Sequence, residues 1–247
     1  MKEWTIDLHV HTPLSPCGED SMLPAPLVGR FLDYGIDVIA ITDHNAVDNV
    51  RVYCEEGEAQ GLIVVPGMEM ETREGIHLVC LFPSCEMLYA WDENLRPFKT
   101  EMKNDSQYFG HQWVLSRAGE HLREEGRMLL MSQDISVDDA IPMVHRFGGL
   151  CIAAHVDRES NGLTAILGVI PAYLPFDGIE LTRHLPRDPT LLQEIQRQGY
   201  RYITACDAHD ISQVGEIHCA AYLDHWSLDE LALAMKGKDG RAVIVAR

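Results

Sequence analysis

WTIDLHVHTPLSPCGED, residues 4–20, opens with a strand pattern: Trp4, Ile6, Leu8 and Val10 alternate with Thr5, Asp7, His9 and His11. Alternate side chains of a strand share a face, so His9 and His11 project together. Two imidazoles side by side on a buried face cost free energy unless something binds them. Either the apolar residues face the core and both histidines face water, or the pair marks adjacent metal ligands, a role neutral imidazole fills for zinc, iron and similar ions. The rest of the chain has to decide.

Outward from this strand, helical and apolar segments alternate. A helix is expected from about Leu23 to Tyr34, with Gly35 as its stop. IDVIAIT (36–42) is a nearly continuous apolar run, as a parallel strand buried on both faces would be. A helix then runs to Gly61. LIVVPGMEME reads as a strand broken at Pro66-Gly67, and the REG turn (73–75) leads into IHLVCLF (76–82). Residues 83–135 are polar and mostly helical in character, an insertion placed to act as a lid. The alternation resumes with helix 136–147, strand 149–154, a helix near 163–168, strand 176–181, helix 189–198 and strand 200–205. HCAAYL, a helix capped by Ser227, and AVIVA complete the chain. The expected fold is a single α/β domain over 1–247, a distorted (β/α)7 TIM-like barrel carrying a mostly helical insertion.

Active sites of such barrels gather at the C-terminal ends of the strands, and the metal-competent residues of this chain fall there. His9 and His11 end the first strand, Asp43 and His44 follow the second, and Glu69 lies near the end of the third. His155 follows GLCIAA, while Asp207 and His209 follow YRYITA. His77 begins its strand, but the short REG turn implies an antiparallel hairpin that returns it to the end bearing Glu69. Taken singly, each has an ordinary explanation as a cap or an exposed side chain. Five strand ends carrying unpaired ionisable groups into one mouth do not, and the convergence predicts a metal site. His184, just beyond Glu180, could reach the same mouth or face solvent. His111, His121, His145, His218 and His225 read as ordinary surface or helix residues.

Composition bounds the partners. The chain has 20 Lys+Arg against 38 Asp+Glu, a formal charge of −18, which disfavours a nucleic-acid polymer or an anionic membrane surface. A small phosphorylated substrate remains compatible with a local basic pocket. Seven cysteines without a CxxC pair read as buried small hydrophobes of a reducing compartment. Without an apolar leader or a long apolar run, the expected location is cytoplasmic. Oligomeric state is left open.

DLHVHT, ITDHN, GMEME, the strand-borne His of IHLVCLF, AHVDR and CDAH together resemble the PHP (polymerase and histidinol phosphatase) superfamily, in order from residue 7 to residue 209. The nearest resemblance is to bacterial PHP-domain phosphoesterases. It implies two or three divalent ions, whether zinc, manganese or iron. One would be held by His9, His11, Glu69 and Asp207, and a second by Glu69, His77 and His155. A third would take His44, His209 and a residue of the first loop. There the chain departs from the commoner family spacing. Matching DSML to the family's DGxL makes Asp20 that ligand, with Glu19 and Cys17 as fallbacks.

The expected chemistry is hydrolysis of small phosphate monoesters (sugar, nucleotide or amino-alcohol phosphates) by a metal-activated hydroxide. Glu69 would bridge the ions, and Asp207 would ligate one of them and either orient the attacking hydroxide or help protonate the departing alkoxide, a task His44 or His209 could take if its metal site is empty. Arg158 would grip the phosphate, with Arg183 second. Asp43 would hold a ligand histidine through its ring N–H. Two other readings compete: an amidohydrolase, which usually adds a bridging Lys that no predicted strand end here supplies, and a non-catalytic metal-binding module.

Overall fold

The computed structural model describes residues 1–182, 189–215 and 218–245. Its elements run β1 (Lys2–Val10), α1 (Pro24–Asp33), β2 (Val38–Ile41), α2 (Val50–Gln60), β3 (Ile63–Glu71), β4 (His77–Leu81) and α3 (Cys85–Leu95). They continue with α4 (Ser106–Phe109), β5 (Trp113–Leu115), β6 (His121–Glu124), α5 (Val137–Arg146), β7 (Leu150–Ala153) and α6 (Leu163–Leu167). The last are β8 (Gly178–Leu181), α7 (Pro189–Arg197), β9 (Tyr202–Thr204), β10 (Cys219–Leu223), α8 (Leu228–Met235) and β11 (Ala242–Val245).

One nine-stranded sheet runs β11-β10-β1-β2-β3-β4-β7-β8-β9, curled into a nearly closed barrel of the expected α/β class. The first half of β1 pairs antiparallel with β10 (Ile6 opposite Cys219). Its second half meets the segment after β9: Val10 bridges Ala208, and Cys206 N–H donates to Asp7 Oδ1 at 3.2 Å. That shared edge closes the wall formed by β1, β2, β3, β4, β7, β8 and β9.

Strands β1–β3 are parallel to one another, as are β7–β9, while β4 runs against both neighbours. The short turn before β4 dictates this, because a tight hairpin can only join antiparallel strands. The strand β3 is not broken at Pro66-Gly67. A Cβ at Gly67 would crowd Thr42 and the backbone of Cys80, so glycine is what lets three strands pack closely there.

Strands buried on both faces explain the apolar runs. Ile39 and Ile41 pack outward against Leu27, Phe31, Val50 and Tyr53 of the helices. Val38 and Ala40, with Val65, Val79, Ile152 and Ile203, pack with Leu231, Ala234 and Met235 of α8. Ser227 caps α8, accepting from Glu230 N–H at 3.2 Å.

The insertion is less helical than its composition suggests. After α3 and the single turn α4, the charged run SRAGEHLREEGR (116–127) supplies the turn and second strand of the β5–β6 hairpin, turned at Gly119 with φ 84°. It is pinned to the rim loops: Trp113 N–H donates to Pro13 O at 2.7 Å, and Asn49 Oδ1 accepts from Leu115 N–H at 2.8 Å. All seven cysteines are free, five of them buried, with Cys54 half-buried and Cys17 exposed. Among the described residues, no helix is long and apolar enough to cross a membrane.

Candidate metal centre

Five strand ends and one reversed strand start converge on Glu69. Its carboxylate is 1% exposed and lies among imidazoles from four other segments. Oε1 is 2.7 Å from His77 Nδ1 and 2.9 Å from His155 Nε2. Oε2 is 2.9 Å from His44 Nδ1 and 3.4 Å from Nε2 of both His9 and His11. Asp207 Oδ1 approaches His11 Nε2 at 3.1 Å and His9 Nε2 at 3.4 Å. The His209 ring stacks on His11 with centroids 4.1 Å apart.

Three overlapping groups place their ligand atoms within 4.8 Å of one another: His9, His11 and Glu69; His44, Glu69 and His77; His11, His44 and His209. The structure thus brings eight of the nine expected ligands together. His44 sits between two groups, beside Glu69 as well as His209. The ninth, Asp20, is not brought in: it is exposed and has His121 as its ion-pair partner at 3.9 Å. The backbone accounts for this, since Glu19 N–H donates to His209 O at 2.8 Å and the chain turns outward immediately afterwards. Cys17 stays exposed at the rim. Arg183 and His184 lie outside the described residues.

Electrostatics divide the cluster. Burial alone would keep His9 neutral, but Glu180, Glu69 and Asp207 outweigh it and hold its pKa well above the usual imidazole range. His77 rises to about 9, its burial outweighed by Glu69 and Glu71. His209 falls to about 3 through burial and the neighbouring His11 and His44, and His44 falls for similar reasons. Burial opposes ionisation of Glu69 and Asp207, yet the surrounding imidazoles hold both below the ordinary carboxylate range.

The supporting residues are partly unexpected. Glu180 (2% exposed) lies 3.1 and 3.2 Å from His9 Nδ1 and accepts from His155 N–H at 3.2 Å. It obeys the same strand-end rule as the ligands, which was the signal available for it. Asp43 does not touch a ligand ring. It accepts from Thr12 N–H, Thr12 Oγ1 and Ser15 Oγ, each at 2.7 Å, and Ser15 Oγ in turn lies 2.9 Å from His11 Nδ1. Ser15 therefore relays the carboxylate to the imidazole. His155 at φ 27° and Asp207 at φ 48° hold backbone conformations that side chains other than glycine rarely adopt.

A cavity of about 360 Å³ opens beside the cluster, lined by His155, Arg158, Thr182, Asp207, His209 and Gln213 among others. Arg158 Nη1 is 3.4 Å from Asp207 Oδ2 at its edge.

The sequence pattern of the PHP domain matches residues 7–206, a span that holds the whole cluster except His209 and Asp207. The chain belongs to the PHP domain family. No curated protein matches it in sequence. In structure it resembles the lesion-specific endonuclease Q of Pyrococcus furiosus (TM-score 0.68, 16% identity), covering 98% of this chain and 58% of that one. The same holds for endonuclease Q in complex with a 27-mer duplex substrate carrying an abasic lesion at the active site (TM-score 0.69, 15% identity, 98% and 58% covered). This PHP chain thus spans less than two thirds of the endonuclease's length. A candidate metal-dependent phosphoesterase from Bifidobacterium adolescentis gives a TM-score of 0.57 at 18% identity, covering 83% of this chain and 87% of that one.

One expectation has to be corrected. Net charge was read as disfavouring a nucleic-acid polymer, but a protein of this fold holds a DNA duplex. A net charge sums over the whole surface, whereas binding depends on the local arrangement around the site, so −18 overall does not exclude that partner.

Proposed function

We propose that this PHP-family chain is a metal-dependent hydrolase of phosphate esters. Its ligands would be His9, His11, His44, Glu69, His77, His155, Asp207 and His209. The observation that best supports the reading is Glu69 Oε2. It is buried among three imidazole nitrogens at 2.9–3.4 Å, yet no donor is aligned to hydrogen-bond it. Asp207 Oδ1 and His155 Nδ1 are buried and unpartnered too. Native proteins seldom leave such atoms unsatisfied. Lone pairs converging on a point, rather than on each other's protons, are what a ligand shell requires, and this mixed nitrogen and oxygen set suits zinc, manganese or iron.

Two or three divalent ions held by these residues would supply Lewis acidity towards a phosphoryl oxygen and would acidify a water. The residues do the rest. Glu69 and Asp207 remain anionic and counter the positive charge, and His44 and His209, with lowered pKa values, offer free lone pairs at neutral pH. Asp207 stands at the cavity wall, where it orients the attacking water. Arg158 exchanges its long contact with Asp207 for two phosphate oxygens. Small monoesters fit a cavity of about 360 Å³. Phosphate esters of nucleotides and nucleic acids share the same chemistry and belong in the same trial.

The test is turnover of p-nitrophenyl phosphate, small phosphate monoesters and an abasic or 5′-phosphorylated oligonucleotide, with Mn²⁺ or Zn²⁺ and after chelation. Metal-restored release of phosphate or of cleaved strand is expected. Metal-loaded protein inert to every ester would leave a binding module, and ammonia or carboxylate released from amides alone would make it an amidohydrolase.

A further inference from the structure

We infer that Gln213 is a substrate-contacting residue, its side-chain amide donating to a non-bridging phosphate oxygen opposite Arg158. The inference rests on the phosphoester reading and assigns one further contact within it. Gln213 ends a short 3-10 turn, Ile211–Gln213, directly after the segment that carries Asp207 and His209. Asp210 caps that turn, accepting from Ser212 N–H at 2.6 Å, and Gln213 N–H donates to Asp210 O at 3.0 Å.

The orientation of the amide is fixed by chemistry. His209 N–H donates to Gln213 Oε1 at 2.8 Å. A backbone N–H needs an acceptor, so the oxygen must occupy that position and the nitrogen cannot. Nε2, with two donor hydrogens, has no partner among the described residues, and Gln213 is one of the residues lining the cavity.

The other polar groups lining the cavity among the described residues are engaged. Thr182 gives both its N–H and its hydroxyl to Asp157, at 2.7 and 2.8 Å. The Cys206 thiol faces His9 O at 3.8 Å, and the imidazoles belong to the metal cluster. Among the described residues, Arg158, whose one side-chain contact is the long one to Asp207 Oδ2 at 3.4 Å, and Gln213 remain as the side-chain donors available to an anion there. A charged fork with a neutral amide beside it suits a tetrahedral oxyanion with several oxygens to satisfy.

The test separates contact from scaffolding. Gln213→Glu keeps an oxygen to accept from His209 N–H but replaces the donor with a second, anionic acceptor. Binding of inorganic phosphate to the metal-loaded protein, measured by calorimetry, should weaken about tenfold or more, with metal content and melting temperature unchanged. Gln213→Met, of similar length and without a donor, is the second variant and should also weaken phosphate about tenfold. Unchanged phosphate affinity in either folded variant overturns the assignment. So does loss of phosphate binding accompanied by loss of metal, which would make Gln213 a support for His209. If wild-type protein takes up metal but binds no phosphate, the phosphoester reading falls, and this contact with it. Normal wild-type binding with an unaffected Gln213→Glu sinks this contact alone.

Discussion

The two ends of the barrel handle buried polar groups in opposite ways. At the end where β8 begins, Asp177 accepts from His145 Nε2 at 2.7 Å and Cys151 N–H at 2.9 Å, with Lys236 Nζ 3.4 Å away. Gly178 there leaves space that the Met235 sulfur of α8 occupies. The buried carboxylate has its counterparts, and the space beside Gly178 is filled. At the end where β8 finishes, Glu69 Oε2, Asp207 Oδ1 and His155 Nδ1 are buried without hydrogen bonds, and His155 and Asp207 themselves sit at positive φ. One end is arranged for stability, while the other gives up stability to hold groups ready for something else.

This contrast can be broken by substitution. The largest effect is expected at Glu69. Glu69→Gln preserves the volume but removes the anion shared by two of the ligand groups. Bound metal by elemental analysis and phosphoester turnover should fall together, turnover by on the order of 10²–10³-fold or more. Wild-type metal content in that variant would refute the shared role.

At the opposite end the effects should be on stability alone. Gly178→Ala would drive a methyl group into the Met235 side chain and should cost about 1–3 kcal/mol, a fall in Tm of several degrees with metal content intact. An unchanged Tm would mean that Met235 yields freely and that this end is less tightly packed than described.

Asp177→Asn should cost slightly less, about 1–2 kcal/mol at neutral pH, and it sharpens the comparison through its pH dependence. Burial would raise the pKa of Asp177, but His145, Cys151 N–H and Lys236 outweigh it and hold it below its ordinary 3.8. A depressed carboxylate pKa stabilises the fold where the group is ionised. The benefit is therefore complete above pH 3.8 and disappears as the pH falls through the lowered native value. Urea denaturation at pH 7 and at pH 3 should show the two proteins separated and then converging. A gap that widens in acid would contradict the pairing.

How much of this was legible in the sequence depended on whether a residue's position follows from strand periodicity. His9, His11, Glu69, His155 and Asp207 were, because apolar runs locate strand ends and strand ends locate the mouth. His77 was legible once the REG turn implied a reversed strand, and the antiparallel pairing of Glu71 opposite His77 bears that out. Glu180 was visible by the same rule but lay inside GIEL, which reads as plain core. Ser15, Gln213 and the fate of Asp20 were not legible. Their contacts depend on how loops turn, and a loop carries no period. The hairpin at 113–124 was masked by its charge run, which has helical composition but a glycine at the turn.

Glu69 and His77 stand eight residues apart on one hairpin, whereas Asp7 and Cys206, which help to close the wall, are 199 apart. Short-range pairs form early, and a closure spanning most of a chain pays its loop entropy late. Loop entropy thus favours an order of assembly: the hairpin presents a carboxylate and an imidazole at low entropic cost, and the remaining donors join them at the higher cost of bringing the segments around residues 7 and 206 together.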